Sequence, residues 1–169
     1  MSKIKLDIDS EQNILNMLLD SSSLTSEQMS KINTTSPEIG KTKLETAIEL
    51  NFTDELKIQK ILSTNYSLEL ISLEKKVIDP KIRKIIDLRY LQDNLLVPFE
   101  MTGGILKIAI ADASKLGLMK NLKTITKMEP ELYAATISDI NDFIDRMSRQ
   151  ETKKISSSNV KVEKIEKNK

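Results

Sequence analysis

The stretch Leu95-Leu-Val-Pro-Phe-Glu-Met-Thr-Gly-Gly-Ile-Leu-Lys-Ile-Ala-Ile-Ala111 decides the fold of this chain. Two apolar runs flank Gly103 and Gly104, and glycine tolerates the positive φ angles that a tight turn between strands needs. Pro98 has no backbone N–H, so the first strand is expected at a sheet edge or with a bulge. The stretch therefore predicts a β-hairpin.

Further elements are predicted on both sides of the hairpin. The apolar run Leu68–Leu73 predicts a strand, and Asp79-Pro80 predicts a helix start, because Asp caps and Pro suits the first helical position. Downstream, Asp112 or Ser114 is expected to cap a helix, and a short strand is predicted over Leu132–Ala135. The apolar positions of the two downstream helices are Leu118, Met119, Leu122 and Ile125, then Ile140, Phe143, Ile144 and Met147.

Helical periodicity dominates the chain before Tyr66. Thr25, followed three residues later by Gln28, predicts a capping box and a helix over residues 26–33. Thr34–Gly40 is predicted as a loop, a short third helix follows, and Thr53 is the expected cap of a fourth. The apolar positions assigned to the first, third and fourth helices are Ile14, Leu15, Leu18 and Leu19, then Leu44, Ala47 and Ile48, then Leu56, Ile58, Ile61 and Leu62.

The predicted class is α+β: an N-terminal helical hairpin repeat followed by a small mixed β-sheet packed with helices. Residues 10–33 and 42–64 are either a true repeat or two unrelated helix pairs. The predicted divisions are a flexible N-terminus over residues 1–9, a helical subdomain over 10–66, an α/β subdomain over 67–148, and a polar linker or tail over 149–169.

Composition excludes several classes of function. The net charge is +1, which gives no strong field toward nucleic acid or an anionic membrane. Cysteine and histidine are both absent, so thiolate sites, the commonest general base and the commonest metal ligand are absent too. No apolar run approaches the roughly 20 residues of a membrane helix, and the first residues lack a signal-peptide core. We expect a cytoplasmic protein without direct membrane insertion or nucleic-acid binding.

Two glycine-containing patterns resemble phosphate loops but lack the required context. Gly40-Lys41-Thr42 matches the end of a Walker A motif, yet Thr35 stands where the first glycine belongs and no apolar strand precedes it. Gly103-Gly104 lies between two predicted strands, with no helix N-terminus after it to present amide groups. A hairpin turn is the better interpretation of the second pattern.

The acidic residues suggest no catalytic pair or calcium loop. Asp79, Asp112 and Asp139 each lie at or near a predicted helix start, where capping or first-turn placement explains them. Asp7, Asp9 and Glu11 alternate as calcium ligands do, but the turn glycine and the closing glutamate of such a loop are missing. A solvated acidic stretch before the first helix is the prediction for these three residues.

Residues 56–148 resemble the N-terminal domain of type II secretion and type IV pilus assembly ATPases, the GspE/PilB/MshE group. The resemblance lies on Leu68–Leu73, on Ile78-Asp79-Pro80, on Glu129-Pro130-Glu131 and above all on Leu96–Ala113. Residues 10–64 are similar, less closely, to the helical repeat that precedes this region in such ATPases.

The resemblance implies a non-catalytic docking or regulatory domain that binds the cytoplasmic part of an inner-membrane platform protein. The family's P-loop and metal-binding acids lie in a separate C-terminal ATPase motor domain, which this sequence does not contain. No catalytic, nucleotide-binding or metal-binding residue is therefore assigned, no cofactor is expected, and the partner surface is unassigned. The isolated domain is expected to be a monomer. The coding sequence beyond Lys169 would distinguish part of a longer protein from a free-standing copy.

Cyclic di-GMP sensing is the alternative function that the resemblance raises. Some relatives bind this ligand through an Arg-Leu-Gly pattern in each half of the helical repeat. Asn13-Ile14-Leu15 takes the first of these places, and the second falls within Thr42-Lys43-Leu44-Glu45. No arginine precedes Arg83, and lysine does not reproduce the bidentate contacts of arginine. We expect this activity to be absent.

Overall fold

Helices α1 to α4 precede a four-stranded sheet in residues 6–150, the part of the chain that the computed structural model describes. The helices are α1 Ile8–Asp20, α2 Ser26–Ile39, α3 Lys43–Glu49, α4 Glu55–Tyr66, α5 Pro80–Ile85, α6 Leu88–Asn94, α7 Met119–Thr126, and α8 over residues 137–150. The strands are β1 Glu69–Leu70, β2 Leu96–Thr102, β3 Ile105–Ile110 and β4 Glu129–Ala134, and a 3-10 helix spans Ala113–Leu118. The predicted α+β class is confirmed.

The sheet has the strand order β1-β4-β3-β2 and is mixed. β2 and β3 form the predicted antiparallel hairpin, and β4 runs parallel to both β3 and β1. Gly103 and Gly104 form the turn between β2 and β3 with φ angles of +58° and +81°, as expected. The register shifts between Pro98 and Glu100, so Pro98 lies both on an edge strand and beside a bulge.

Side-chain caps set most of the helix starts. The predicted capping box of α2 is present, with Gln28 N donating to Thr25 Oγ1 at 3.1 Å. Helix α1 starts at Ile8, because Asp7 caps it by accepting from Ser10 N at 2.7 Å. Asp9 and Glu11 lie within the helix and Glu11 is buried, so the prediction of a solvated stretch before the first helix was wrong for these residues. The prediction of Thr53 as the cap of α4 was wrong by one residue, since Asp54 accepts from Lys57 N at 2.8 Å.

Two further predictions of local structure were wrong, and one helix was missed. The predicted loop Thr34–Gly40 is helical through Ile39, because Pro37 lies in the last turn and removes a single N–H there, while Gly40 ends the helix at φ +66°. The strand predicted over Leu68–Leu73 is limited to Glu69–Leu70. Helix α6, capped by Asp87, was not predicted. The predicted tail begins within α8, and its residues 151–169 lie outside the described residues.

One hydrophobic cluster extends from the helices into the sheet. It includes Leu15, Leu18, Ile32, Leu44 and Leu62 of the helices, Ile108 and Ile110 of β3, and Phe143 of α8. Such burial supplies most of the stabilisation of a domain of this size. The division into a helical and an α/β subdomain stays a prediction.

Candidate docking surface

The Walker-like tripeptide forms the turn between α2 and α3. Gly40 is the left-handed C-cap of α2, and its N–H donates to Ser36 O. Thr42 is the N-cap of α3 and forms a capping box with Glu45. Lys41, between them, forms an ion pair with Glu49. The tripeptide thus has a complete structural explanation as a turn between two helices.

The three aspartates at helix starts each act locally. Asp79 accepts from Lys81 N at 2.9 Å and Asp112 from Ser114 N at 2.8 Å, so both are caps as predicted. Asp139, in the first turn of α8, accepts from Leu73 N at 3.0 Å and holds the segment after β1 against α8. Among residues 6–150, no three potential ligands of the His, Cys, Asp or Glu type come together as a metal site.

The positions aligned with the cyclic di-GMP patterns combine buried and exposed residues. Leu15, at the place of the first glycine, is fully buried, and so is Leu44 of the second pattern. Asn13, at the place of the first arginine, is exposed. A buried leucine side chain occupies the space through which glycine would let a ligand approach the backbone.

Glu11 introduces a carboxyl group between α1 and α3. Glu11 is 6% exposed, and its Oε1 is buried without a hydrogen-bond partner. Burial raises the pKa of this carboxyl group, while the Thr42 side chain and the Leu44 amide lower it by less. Asp7 and Glu45 add repulsion that raises the pKa further.

A groove of about 330 Å³ lies between α4, the end of β1 and the start of α8. We call it the α4–β1 groove, and its lining residues are Leu56, Gln59, Leu70, Ile71, Ser72, Thr136 and Asp139. Leu56 is 71% exposed and Leu70 is 50% exposed. The prediction of Leu56 on the buried face of α4 was wrong, because at about 100° per residue it lies nearly opposite Ile58.

Hydrogen bonds fix the walls of the α4–β1 groove relative to one another. Gln59 Nε2 donates to Ala134 O at 2.8 Å and to Ile71 O at 3.2 Å, which ties α4 to β4 and to the residue that follows β1. Glu55 accepts from Ser138 N at 2.9 Å and from Ser138 Oγ at 2.6 Å, which ties α4 to the start of α8. The groove is therefore preformed rather than a gap between loosely packed elements.

A second groove, of about 420 Å³, follows the outer edge of β2. Its lining residues are Lys76, Val77, Ile78, Asp79, Pro80, Phe99, Glu100 and Met101. Val77 is 83% exposed, and Lys76 Nζ lies 5.6 Å from the centre of the Phe99 ring. Arg146 of α8 donates to Lys76 O at 3.0 Å and anchors this segment. Sequence patterns identified neither groove, because each combines residues that are distant along the chain.

Part of this chain is similar in sequence to a known protein. The chain is 28% identical over 93 residues to the type IV pilus assembly ATPase PilB of Myxococcus xanthus strain DK1622. Those residues are 55% of this chain and 16% of PilB, so the chain spans about a sixth of that relative.

No helix in residues 6–150 is both long and apolar enough to cross a membrane.

Two solved structures have the same fold at low identity. A structure of MshE with cdg superposes with a TM-score of 0.60 at 19% identity, covering 79% of this chain and 96% of that one. The N-terminal domain of XpsE gives a TM-score of 0.59 at 20% identity, covering 86% and 98%. Residues 66–154 match the family described as the MshEN domain. The resemblance to the N-terminal domain of secretion and pilus assembly ATPases is thus confirmed, and the chain belongs to the MshEN domain family.

Proposed function

We propose that this chain is a non-catalytic docking domain of a secretion or pilus assembly ATPase and binds the cytoplasmic part of an inner-membrane platform protein. The match of residues 66–154 to the MshEN domain carries the proposal, together with the sequence similarity to the pilus assembly ATPase PilB. In the full protein a C-terminal motor domain would hydrolyse ATP. The chain would then act at the cytoplasmic side of the inner membrane through its partner.

The surface of the domain supports docking more than small-molecule chemistry. Leu56, Leu70 and Val77 are at least half exposed, and all three line preformed grooves. Leu56 and Leu70 lie together in one groove, and neighbouring exposed apolar side chains favour a surface that binds other proteins. The acidic residues at helix starts are used as caps or tethers, as described above.

Calorimetric titration tests the docking function directly. The full chain would be titrated with the cytoplasmic domain of the platform protein encoded beside it. Saturable binding with a Kd of about 1 μM or tighter, equivalent to about −8 kcal/mol, supports the proposal. Absence of both heat and co-elution on gel filtration would refute it. Light scattering of the protein eluting from the same column gives its molar mass and tests the prediction that the isolated chain is a monomer.

Cyclic di-GMP sensing is the second candidate, and the structural likeness to MshE with cdg favours testing it. The burial of Leu15 at the place of the first glycine, and the absence of arginine before Arg83, support absence of binding. Titration of the full chain with cyclic di-GMP should therefore produce no saturable heat. A Kd below about 10 μM would overturn this expectation and make the domain a sensor.

A further inference from the structure

We propose that the α4–β1 groove is the surface on which the partner docks, and that its occupant is an extended protein segment with an apolar side chain beside a lysine or arginine. The identity of the partner rests on the proposed function, whereas the class of occupant follows from the groove. Three independent features of the groove define that occupant.

The apolar feature is a pair of leucines on opposite walls. Leu56 projects from the first turn of α4 and is 71% exposed, and Leu70 of β1 is 50% exposed. Both leucines line the groove, and so does the half-buried Ile71. An apolar side chain between the two leucines would remove apolar surface from water on both sides, which is the main driving force for such contacts.

The second feature is the unpaired edge of β1. Ile71 N donates to Ala134 O at 3.0 Å, and Leu70 is the register partner of Ala134. In a parallel ladder, successive residues direct their backbone groups to opposite sides, so the N–H and C=O of Leu70 face away from β4. β1 is the edge strand of the sheet at this side. An extended segment can pair with such an edge.

The third feature is charge. Asp139 lines the groove, and no lysine or arginine does. The first turn of α8 does not offer an anion site here, because Glu55 already accepts from Ser138 N and Ser138 Oγ. Charge complementarity therefore favours a cationic side chain in the occupant.

The groove along β2 lacks this selectivity. Lys76 lines it together with Asp79 and Glu100, so charges of both signs are present. Glu100 is paired with Lys107 at 2.8 Å. Val77 therefore offers a comparison site, with an exposed apolar side chain but no net preference for a cationic partner.

Nuclear magnetic resonance with two synthetic peptides tests the occupant without the platform protein. The isotopically labelled full chain would be titrated with acetyl-Val-Lys-Leu-Arg-Val-amide and, as the control, acetyl-Val-Glu-Leu-Glu-Val-amide. The basic peptide should give saturable amide shifts at Leu56, Leu70 and Ser72. The acidic peptide should bind at least tenfold more weakly. Shifts confined to residues 76–80 and 99–101, equal shifts with both peptides, or no shifts overturn the proposal.

Matched variants connect the groove to the platform protein. Leu56→Lys removes one apolar wall and repels a basic segment, whereas Ile125→Lys makes the same change at a 56% exposed site on α7. Thermal unfolding of both variants checks that they fold. Leu56→Lys should weaken binding of the platform domain at least tenfold, and Ile125→Lys should leave it unchanged.

These two experiments separate the groove from the proposed function. If the wild-type chain binds the platform domain and Leu56→Lys binds equally well, the groove proposal is overturned while the docking function stands. If the basic peptide binds at Leu70 but the platform domain does not bind, the docking function fails while the occupant class stands. Asp139→Asn retains an acceptor for Leu73 N and should reduce the preference for the basic peptide.

Discussion

Replacing Gln59 by alanine should destabilise the whole domain by about 2 kcal/mol. Gln59 is 8% exposed, and its Nε2 donates to Ala134 O and Ile71 O. Each net hydrogen bond contributes about 1 kcal/mol, and the loss leaves Ile71 O without the donor that now reaches it. Ala134 O keeps its bond from Ile71 N, which limits the cost. Alanine also returns a few tenths of a kcal/mol in helix propensity.

Urea unfolding followed by circular dichroism measures this change. The midpoint should decrease with the slope unchanged, and the melting temperature should decrease by about 4 to 8 °C. Gln12→Ala is the matched control, because Gln12 donates to Asn16 on the exposed face of α1 at 3.0 Å. The control should cost less than about 0.5 kcal/mol. Equal stability of Gln59→Ala and Gln12→Ala would refute the role assigned to the two carbonyl contacts.

Three more perturbations have expected outcomes. Burial raises the pKa of Glu11, so the folded state favours its protonated form, and the contribution of Glu11 to stability should fall as pH rises above about 4.5. Relative to wild type, Glu11→Gln should therefore be more stable at pH 7 than at pH 4 in urea titrations. Gly103→Ala should cost about 1 kcal/mol at φ +58° in thermal unfolding, whereas Gly117→Ala, without positive φ, should not. Thr42→Ala should cost about 1 kcal/mol by loss of the cap, and Thr64→Ala, within α4, much less.

Local signals in the sequence predicted the parts of the fold that depend on neighbouring residues. The Gly103-Gly104 turn and the capping box at Thr25 are each complete within a few residues. Asp79-Pro80 likewise contains both the cap and the first helical residue of α5. The residues that form each of these features are neighbours in sequence, so the features could be predicted without knowledge of tertiary contacts.

Features that depend on distant residues could not be predicted. Helix α2 continues past Thr34 although the residues favour a loop, since Pro37 removes one N–H in the last turn and Ser36 of this part is buried. β1 ends after two residues, and the segment that follows it leaves the sheet. Leu73 N donates there to Asp139 of α8, 66 positions away. The exposure of Leu56 was also missed, because apolar residues predict burial on average whereas this one lies on the face of α4 opposite Ile58.

The contact between Gln59 and Ala134, 75 residues apart, has a consequence for synthesis of the protein. A ribosome adding roughly 5 to 20 residues per second needs about 4 to 15 s to pass from one to the other. During that interval α4 and β1 are completed, but the strand that pairs with β1 does not yet exist. The nascent helices therefore carry exposed leucines and an uncovered strand edge for seconds, which is the kind of surface that chaperones at the ribosome recognise.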